Sequence, residues 1–170
     1  MPFTPFHFGP CACIALPIQR RMDLAIFLGV NVAIDIEPGI VMVCNLNYPL
    51  HGYAHTLLIG GIIGLGLAVA AYPFRWIIEK GMNRCRLPYA PTFAKMVLSG
   101  VIGAWLHVLL DATLYPEMHP FFPFRGNPLF NTVPFLAVYA VCAISFVPAL
   151  IIYSHVASNA VNQVSDCSRQ

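Results

Sequence analysis

Two pairs of ionisable residues stand out in the sequence because the members of each pair are four residues apart. His107 and Asp111 close the apolar run KMVLSGVIGAWLHVLLD, and His51 and His55 lie in LHGYAHT. On an α-helix this spacing puts both side chains of a pair on one face, roughly 6 Å apart along the axis. Imidazole nitrogen and carboxylate oxygen bind divalent metals, so both pairs are candidate metal platforms. For the histidine pair alone, two interfacial histidines are an equally good interpretation.

The composition excludes an ordinary soluble domain. Hydrophobic residues make up 58% of the 170 residues and charged residues 9%, whereas globular domains have about 25% charged residues. So few charges cannot cover the surface of a soluble protein of this size. The net charge of +2 is too small and too scattered to indicate nucleic-acid binding. The sequence therefore predicts an all-α, polytopic helical protein whose main partner is the lipid bilayer.

Long apolar stretches predict where the chain crosses the membrane. A spanning helix needs about 20 apolar residues, and three stretches reach that length, at about 48–74, 93–114 and 132–153. Two shorter apolar pieces, at about 6–18 and 23–36, predict an N-terminal helical hairpin, either half-inserted or spanning. We expect a single membrane domain over residues 1–155, followed by a polar C-terminal tail over 156–170.

The basic residues predict an orientation. Segment 75–95 contains one acidic residue and five basic ones, so the positive-inside rule assigns it to the cytoplasm, together with Arg20 and Arg21. If the basic segments are cytoplasmic, the predicted crossings of the chain put seven potential ligands near the outer leaflet of the cell (inner) membrane. They are His7, Asp35, Glu37, His51, His55, His107 and Asp111.

These residues predict a metal site. Asp35 and Glu37 lie in IDIEPG, where Pro38 and Gly39 indicate a turn, and a plain surface turn is the alternative interpretation. Histidine and carboxylate ligands without thiolate suit Zn²⁺, with Mn²⁺ or Fe²⁺ as alternatives, as one ion or two. The predicted metal ligands are His7, Asp35, His51, His55, His107 and Asp111.

Two further histidines are weaker candidates. His119 follows the second long span in the aromatic, proline-rich YPEMHPFFPF. An interfacial anchor is the favoured role for this loop, with His119 as a metal ligand the alternative. His155 lies at the opposite end of the last span and is interpreted as a boundary residue.

The quoted motifs also carry a family resemblance. TPFHFGP, DIEP, HGYAHT and HVLLDATLYP followed by PFFPF, over residues 1–124, resemble the membrane-bound metal-dependent hydrolases, also called the LexA-binding inner-membrane-associated hydrolase family. That family is grouped with zinc-dependent phospholipases C and single-strand nucleases, which are helical and hydrolyse phosphodiesters with His/Asp-bound metals. The acidic motif departs from the PDIDHP of relatives, since glutamate is its second acid and the histidine is absent.

We therefore expect a membrane-embedded metal-dependent hydrolase that acts on a phosphoester or ester of a lipid-like substrate at the outer leaflet. Asp35 and Glu37 are the predicted catalytic residues, with Glu37 bridging metals or acting as general base. One alternative is a non-enzymatic membrane scaffold with a structural metal site. Another is a transporter with an ionisable pathway, which the charge-free third span disfavours.

The orientation leads to the first prediction. In a variant whose six native cysteines are replaced, a membrane-impermeant thiol reagent should label a cysteine placed in the 80–90 loop from the cytoplasmic face only, because the surrounding Lys and Arg residues stay on that side. Labelling from outside intact cells would overturn the predicted orientation.

Overall fold

The computed structural model describes the backbone of residues 5–167 and the side chains through residue 160. Within residues 5–167 all regular elements are helical. The two 3-10 turns are Tyr53–His55 and Tyr72–Phe74. The seven α-helices of this described part are α1 (Pro5–Ala15), α2 (Leu24–Val43), α3 (Leu57–Ala71), α4 (Arg75–Arg84), α5 (Phe93–Ala112), α6 (Phe135–Ile144) and α7 (Phe146–Cys167).

In the described part of the chain, four helical stretches are long and apolar enough to cross a membrane. Two are the single helices α2 and α5, and two are composite, α3 with α4 and α6 with most of α7. Their bounds are Leu24–Val43, Leu57–Arg84, Phe93–Ala112 and Phe135–Ala160. The predicted all-α, polytopic membrane architecture is confirmed.

The N-terminal region differs in detail from the predicted short hairpin. Helix α2 does not stop near residue 36 but continues to Val43, and its 20 residues reach ~30 Å, enough to cross a bilayer. Asp23 caps its first turn by accepting a hydrogen bond from the Ile26 N–H at 3.0 Å, as good N-cap residues do. Helix α1, with 11 residues, is too short to span.

The predicted turn at Asp35 and Glu37 is also wrong, since both residues lie inside α2. Pro38 is an interior residue of this helix. A proline removes only one backbone N–H, and the apolar residues on both sides favour continuing the helix in a membrane. Both carboxylates are therefore held on a helix.

His51 and His55 lie outside the following span, contrary to the predicted helical pair. Helix α3 begins at Leu57, because Thr56 caps it by accepting a hydrogen bond from the Ile59 N–H at 3.1 Å. His51 lies in the preceding loop, and His55 ends the 3-10 turn. The two histidines lie close together because of the conformation of this loop, and they do not share a helix face.

Close packing around α5 brings the elements of the site together. α5 packs most extensively against α3 and next against α2. Gly100 of α5 and Gly64 of α3 lie back to back, so that a Cβ on either would overlap the backbone of the other, and Gly103 faces Phe27 of α2. Small residues permit this approach between membrane helices.

The C-terminal helix crosses the boundary predicted between domain and tail. α7 continues past residue 155 to Cys167, and residues 168–170 of the predicted tail lie outside the described part of the chain. The division into a membrane domain and a tail stays a prediction.

The glycine contact leads to the second prediction. Gly64→Ala should destabilise the protein by about 1–3 kcal/mol, the usual cost of overpacking, because its Cβ meets the Gly100 carbonyl. Gly66→Ala, on the same helix, is the matched control, since a Cβ there meets nothing within 4 Å and alanine raises helix propensity. Thermal unfolding of both variants in detergent measures the difference. Equal melting temperatures would contradict the close contact between α3 and α5.

Candidate metal centre

Four ionisable side chains converge at one end of the helix bundle. α2 supplies Asp35, the 3-10 turn before α3 supplies His55, and α5 supplies His107 and Asp111. Each offers one potential ligand atom, and these four atoms all lie within 4.8 Å of one another. His55, His107 and Asp111 are buried, while the Asp35 carboxylate is 18% exposed. We call these residues the four-residue cluster.

The distances within the cluster suit a shared cation better than hydrogen bonds. His107 Nε2 lies 3.3 Å from Asp35 Oδ1 and 3.4 Å from Asp111 Oδ2. The same two oxygens lie 3.7 and 3.9 Å from His55 Nε2. N–H···O hydrogen bonds are ~2.7–3.2 Å long, whereas ligands ~2.0–2.2 Å from a tetrahedral ion are ~3.3–3.6 Å apart. Both Nε2 atoms are buried without a hydrogen-bond partner, so the residues fit a metal ion.

The other ring nitrogen of each cluster histidine is held by an oxygen. His107 Nδ1 lies 3.1 Å from Asn31 Oδ1, and His55 Nδ1 lies 3.2 Å from Glu37 Oε2. Because these oxygens only accept, each Nδ1 donates its proton and each Nε2 presents a lone pair to the cluster. Metal-binding histidines are oriented in this way in many proteins.

Glu37 organises the loop that carries His55. Its carboxylate accepts hydrogen bonds from the backbone N–H groups of Gly52 and Ala54, both at 3.1 Å, in addition to the His55 imidazole. Three donors therefore fix this side chain between α2 and the loop. Its predicted function as a bridging ligand or general base stays a prediction, while its contacts are those of a group that positions His55.

The charges around His55 favour a cation. Burial opposes protonation of this imidazole, but the adjacent Asp35 and Glu37 outweigh burial and raise the pKa of His55 above its usual value. The same carboxylates attract a divalent ion, which competes with the proton for Nε2. The cluster thus holds a local negative charge that either a proton or a metal can neutralise.

His7 contacts the cluster through the second oxygen of Asp111. Its Nε2 lies 3.3 Å from Asp111 Oδ1, and its ring centre lies 4.3 Å from that of His107. Asp111 therefore directs Oδ2 to the cluster and Oδ1 to His7. Helix α1 brings His7 to the site. The sequence analysis predicted that His7 lies at the same end of the bundle as the other potential ligands.

His51 lies beside the cluster and not within it. Its ring centre is 4.8 Å from that of His55, and the ring stacks on Tyr115 at 3.9 Å. Its Nδ1 lies 3.0 Å from Glu117 Oε1. Burial lowers the pKa of His51, although Glu117 partly opposes that effect. The side chain is thus a neutral imidazole whose Nδ1–H is donated to a carboxylate.

A cleft of about 400 Å³ opens next to His51. Its walls come from the loop before α3 and from the loop after α5, and they include Glu117, His119 and Arg125. His119 is exposed, and its Nδ1 accepts a hydrogen bond from the Gly126 N–H at 3.1 Å. It lines the cleft and is not one of the four converging residues.

Two contributors were missed in the sequence. Asn31 precedes Asp35 by four residues in α2, but the spacing rule was applied to pairs of ionisable residues and asparagine is not ionisable. Glu117 had no comparable signal, because its contact with His51 joins two loops 66 residues apart. Only the folded chain brings that pair together.

Protein-family models, curated proteins and solved structures provide no match to this chain. The resemblance to the membrane-bound metal-dependent hydrolases therefore stays a prediction.

The cluster leads to the third prediction, a graded loss of metal. His107→Ala or Asp111→Ala should abolish stoichiometric binding of a divalent metal, because each removes a ligand atom from the group. Glu37→Gln should keep the ligands but loosen His55, which typically costs about 10–100-fold in affinity. Mass-spectrometric elemental analysis and metal titration of the purified protein measure both effects.

His155→Ala is the matched control, since His155 is exposed on α7 and should not affect metal content. Equal metal content in all four variants would rule out the cluster as the binding site.

Proposed function

We propose that the protein is a membrane-embedded metal-dependent hydrolase acting on a phosphoester or ester of a lipid-like substrate. The observation that carries the proposal is the convergence of two partnerless Nε2 atoms and two carboxylates next to a cleft. Histidine and carboxylate ligands indicate Zn²⁺, or else Mn²⁺ or Fe²⁺. The resemblance noted in the sequence points to the same class of reaction.

Each residue near the site has a separate task in this proposal. Asp35, His55, His107 and Asp111 hold the ion, and Glu37 positions His55. A divalent ion in such a site supplies Lewis acidity and lowers the pKa of water toward ~7. The two carboxylates of the ligand set attract a divalent ion more strongly than a monovalent one.

His51 is the proposed proton-transfer group. It lines the cleft, and its Nδ1 hydrogen bond to Glu117 leaves Nε2 as the proton acceptor. A histidine oriented by a carboxylate is a common general base. This modifies the prediction from sequence, in which Asp35 and Glu37 carried the catalytic role, because Asp35 becomes a ligand and Glu37 is occupied by three donors.

A structural metal site in a non-enzymatic scaffold is the second candidate. The observation in its favour is the ligand count, because four protein ligands complete the closed tetrahedral shell typical of structural zinc. A hydrolytic site needs a coordination position that substrate or water can reach. The two candidates therefore differ in whether bound metal leads to turnover.

The proposal includes an orientation. We place the site toward the outer face of the cell (inner) membrane and segment 75–95 in the cytoplasm, on the basis of the Lys and Arg distribution. In that orientation the cleft opens among the headgroups of the outer leaflet.

The fourth prediction separates enzyme from scaffold. The purified full-length protein, loaded with Zn²⁺ or Mn²⁺, should hydrolyse at least one member of a panel of phospholipids and phosphodiesters, and chelation should stop the reaction. His51→Asn should keep its metal and its melting temperature while losing about 10²–10⁴-fold in rate, the usual effect of removing a general base. His155→Asn is the control and should retain full activity. A protein that binds metal at the cluster but turns over nothing on the panel would favour the structural site.

A further inference from the structure

A second depression lies on the side of the bundle, next to the polar cleft. It is an apolar groove of about 510 Å³ between α3 and α5, and the loop after α5 closes one end of it. Its lining residues include Leu58, Ile62, Leu65, Trp105, Phe122 and Phe124. Leu58, Ile62 and Leu65 are each 42% exposed or more on a helix that crosses the membrane, so the groove opens toward lipid.

The groove and the cleft share a wall. Phe122 lines both of them, so a molecule that occupies the cleft meets the groove at this ring. The loop that carries Phe122 is tied to the start of α3, since the Leu57 N–H donates a hydrogen bond to the Pro120 carbonyl at 2.8 Å. A polar compartment at the end of the bundle thus continues into an apolar one along its side.

The cleft carries hydrogen-bond donors and positive charge. Arg125 lines it and is the one Lys or Arg in the sequence between residues 96 and 168. The His119 Nδ1 accepts from the Gly126 N–H, so the ring proton is on Nε2, which makes that atom a donor. Glu117 also lines the cleft, and its carboxylate accepts the hydrogen bond from His51 Nδ1. Arginine and imidazole N–H groups in such a place suit a phosphate or carboxylate.

We propose that the cleft and the groove form one binding site for an anionic membrane lipid. The headgroup lies in the cleft near Arg125, and one acyl chain lies in the groove against Trp105. The cleft volume is within the ~300–1,000 Å³ of small-molecule sites. Only the role of this lipid as a substrate rests on the proposed function. Binding of the lipid does not require that the protein hydrolyses it.

The geometry also places such a lipid near the four-residue cluster while its chain stays beside α3 and α5. α3 and α5 run through the membrane, and the cluster lies where α3 begins and α5 ends. A chain that stays parallel to these helices in the groove brings its headgroup to the level of His51. At that position the acyl chain of the lipid is in an apolar environment.

Trp105 provides the probe for the fifth prediction. Its indole lines the groove and is fixed by a hydrogen bond from Nε1 to the Leu57 carbonyl at 2.9 Å. In a Trp76→Phe background it is the only tryptophan, since the sequence has two. The full-length variant is reconstituted with phospholipids whose acyl chains carry bromine, a quencher of tryptophan fluorescence. All samples contain chelator, so that no lipid is hydrolysed.

We expect brominated phosphatidylglycerol to quench Trp105 more effectively than brominated phosphatidylcholine at equal mole fraction. The apparent affinities should differ on the order of fivefold, the contribution of one basic residue near an anionic lipid. Arg125→Gln should remove the preference, and Arg125→Lys should keep most of it. Arg84→Gln, an exposed arginine at the end of α4, is the control and should leave the preference unchanged.

Equal quenching by the two lipids would overturn the proposal, since it would mean that the groove is covered by bulk bilayer lipid without selection. A preference that survives Arg125→Gln would overturn it too. If soluble glycerol phosphate binds to the protein and brominated acyl chains do not quench Trp105, the cleft is a site for a soluble anion instead. Because neither metal nor turnover enters the measurement, a failure of the hydrolase proposal and a failure of lipid selection are separate results.

Discussion

Asp111 is a carboxylate buried at the end of a membrane-spanning helix, and the rest of the site depends on neutralising it. A charged aspartate inside a bilayer costs about 2.5–3.5 kcal/mol on insertion scales. Its two oxygens face His7 at 3.3 Å and His107 at 3.4 Å. His107 in turn is held by Asn31. Removing one partner from such a group leaves another buried and unpaired, so the polar residues at this end stabilise one another.

That arrangement requires three helices to approach closely. The back-to-back contact of Gly64 and Gly100, and the contact of Gly103 with Phe27, bring α3 and α2 against α5. Larger residues at these positions would separate the helices. The two carboxylates and two imidazoles of the cluster come from three different elements, so a separation by even one methyl group would lengthen distances that now suit a single ion. Small residues in the apolar part of the bundle thus determine the geometry of its polar end.

The sequence predicted the parts of the site that depend on local periodicity. His107 and Asp111 lie on one face of α5 as expected, because that helix is long and uninterrupted. The prediction failed where a single residue decides the local structure. Thr56 caps α3 and leaves His51 and His55 in a loop, while Pro38 is accommodated within α2. The contact of Glu117 with His51 joins two loops, and no sequence pattern indicates it. All six predicted ligands nevertheless lie at one end of the bundle.

The surroundings of the cluster are not symmetrical, and this bears on the choice between the two candidate functions. On one side the packed helices α1, α2 and α5 bury His7, Asn31 and His107 completely or nearly so. On the other side Asp35 and Glu37 are 18% and 20% exposed, and His51 borders the cleft. A purely structural site gains stability from being enclosed on every side, because water competes for its ligands. An opening beside His51 gives no such benefit to a structural site, whereas the proposed hydrolase requires access for a substrate.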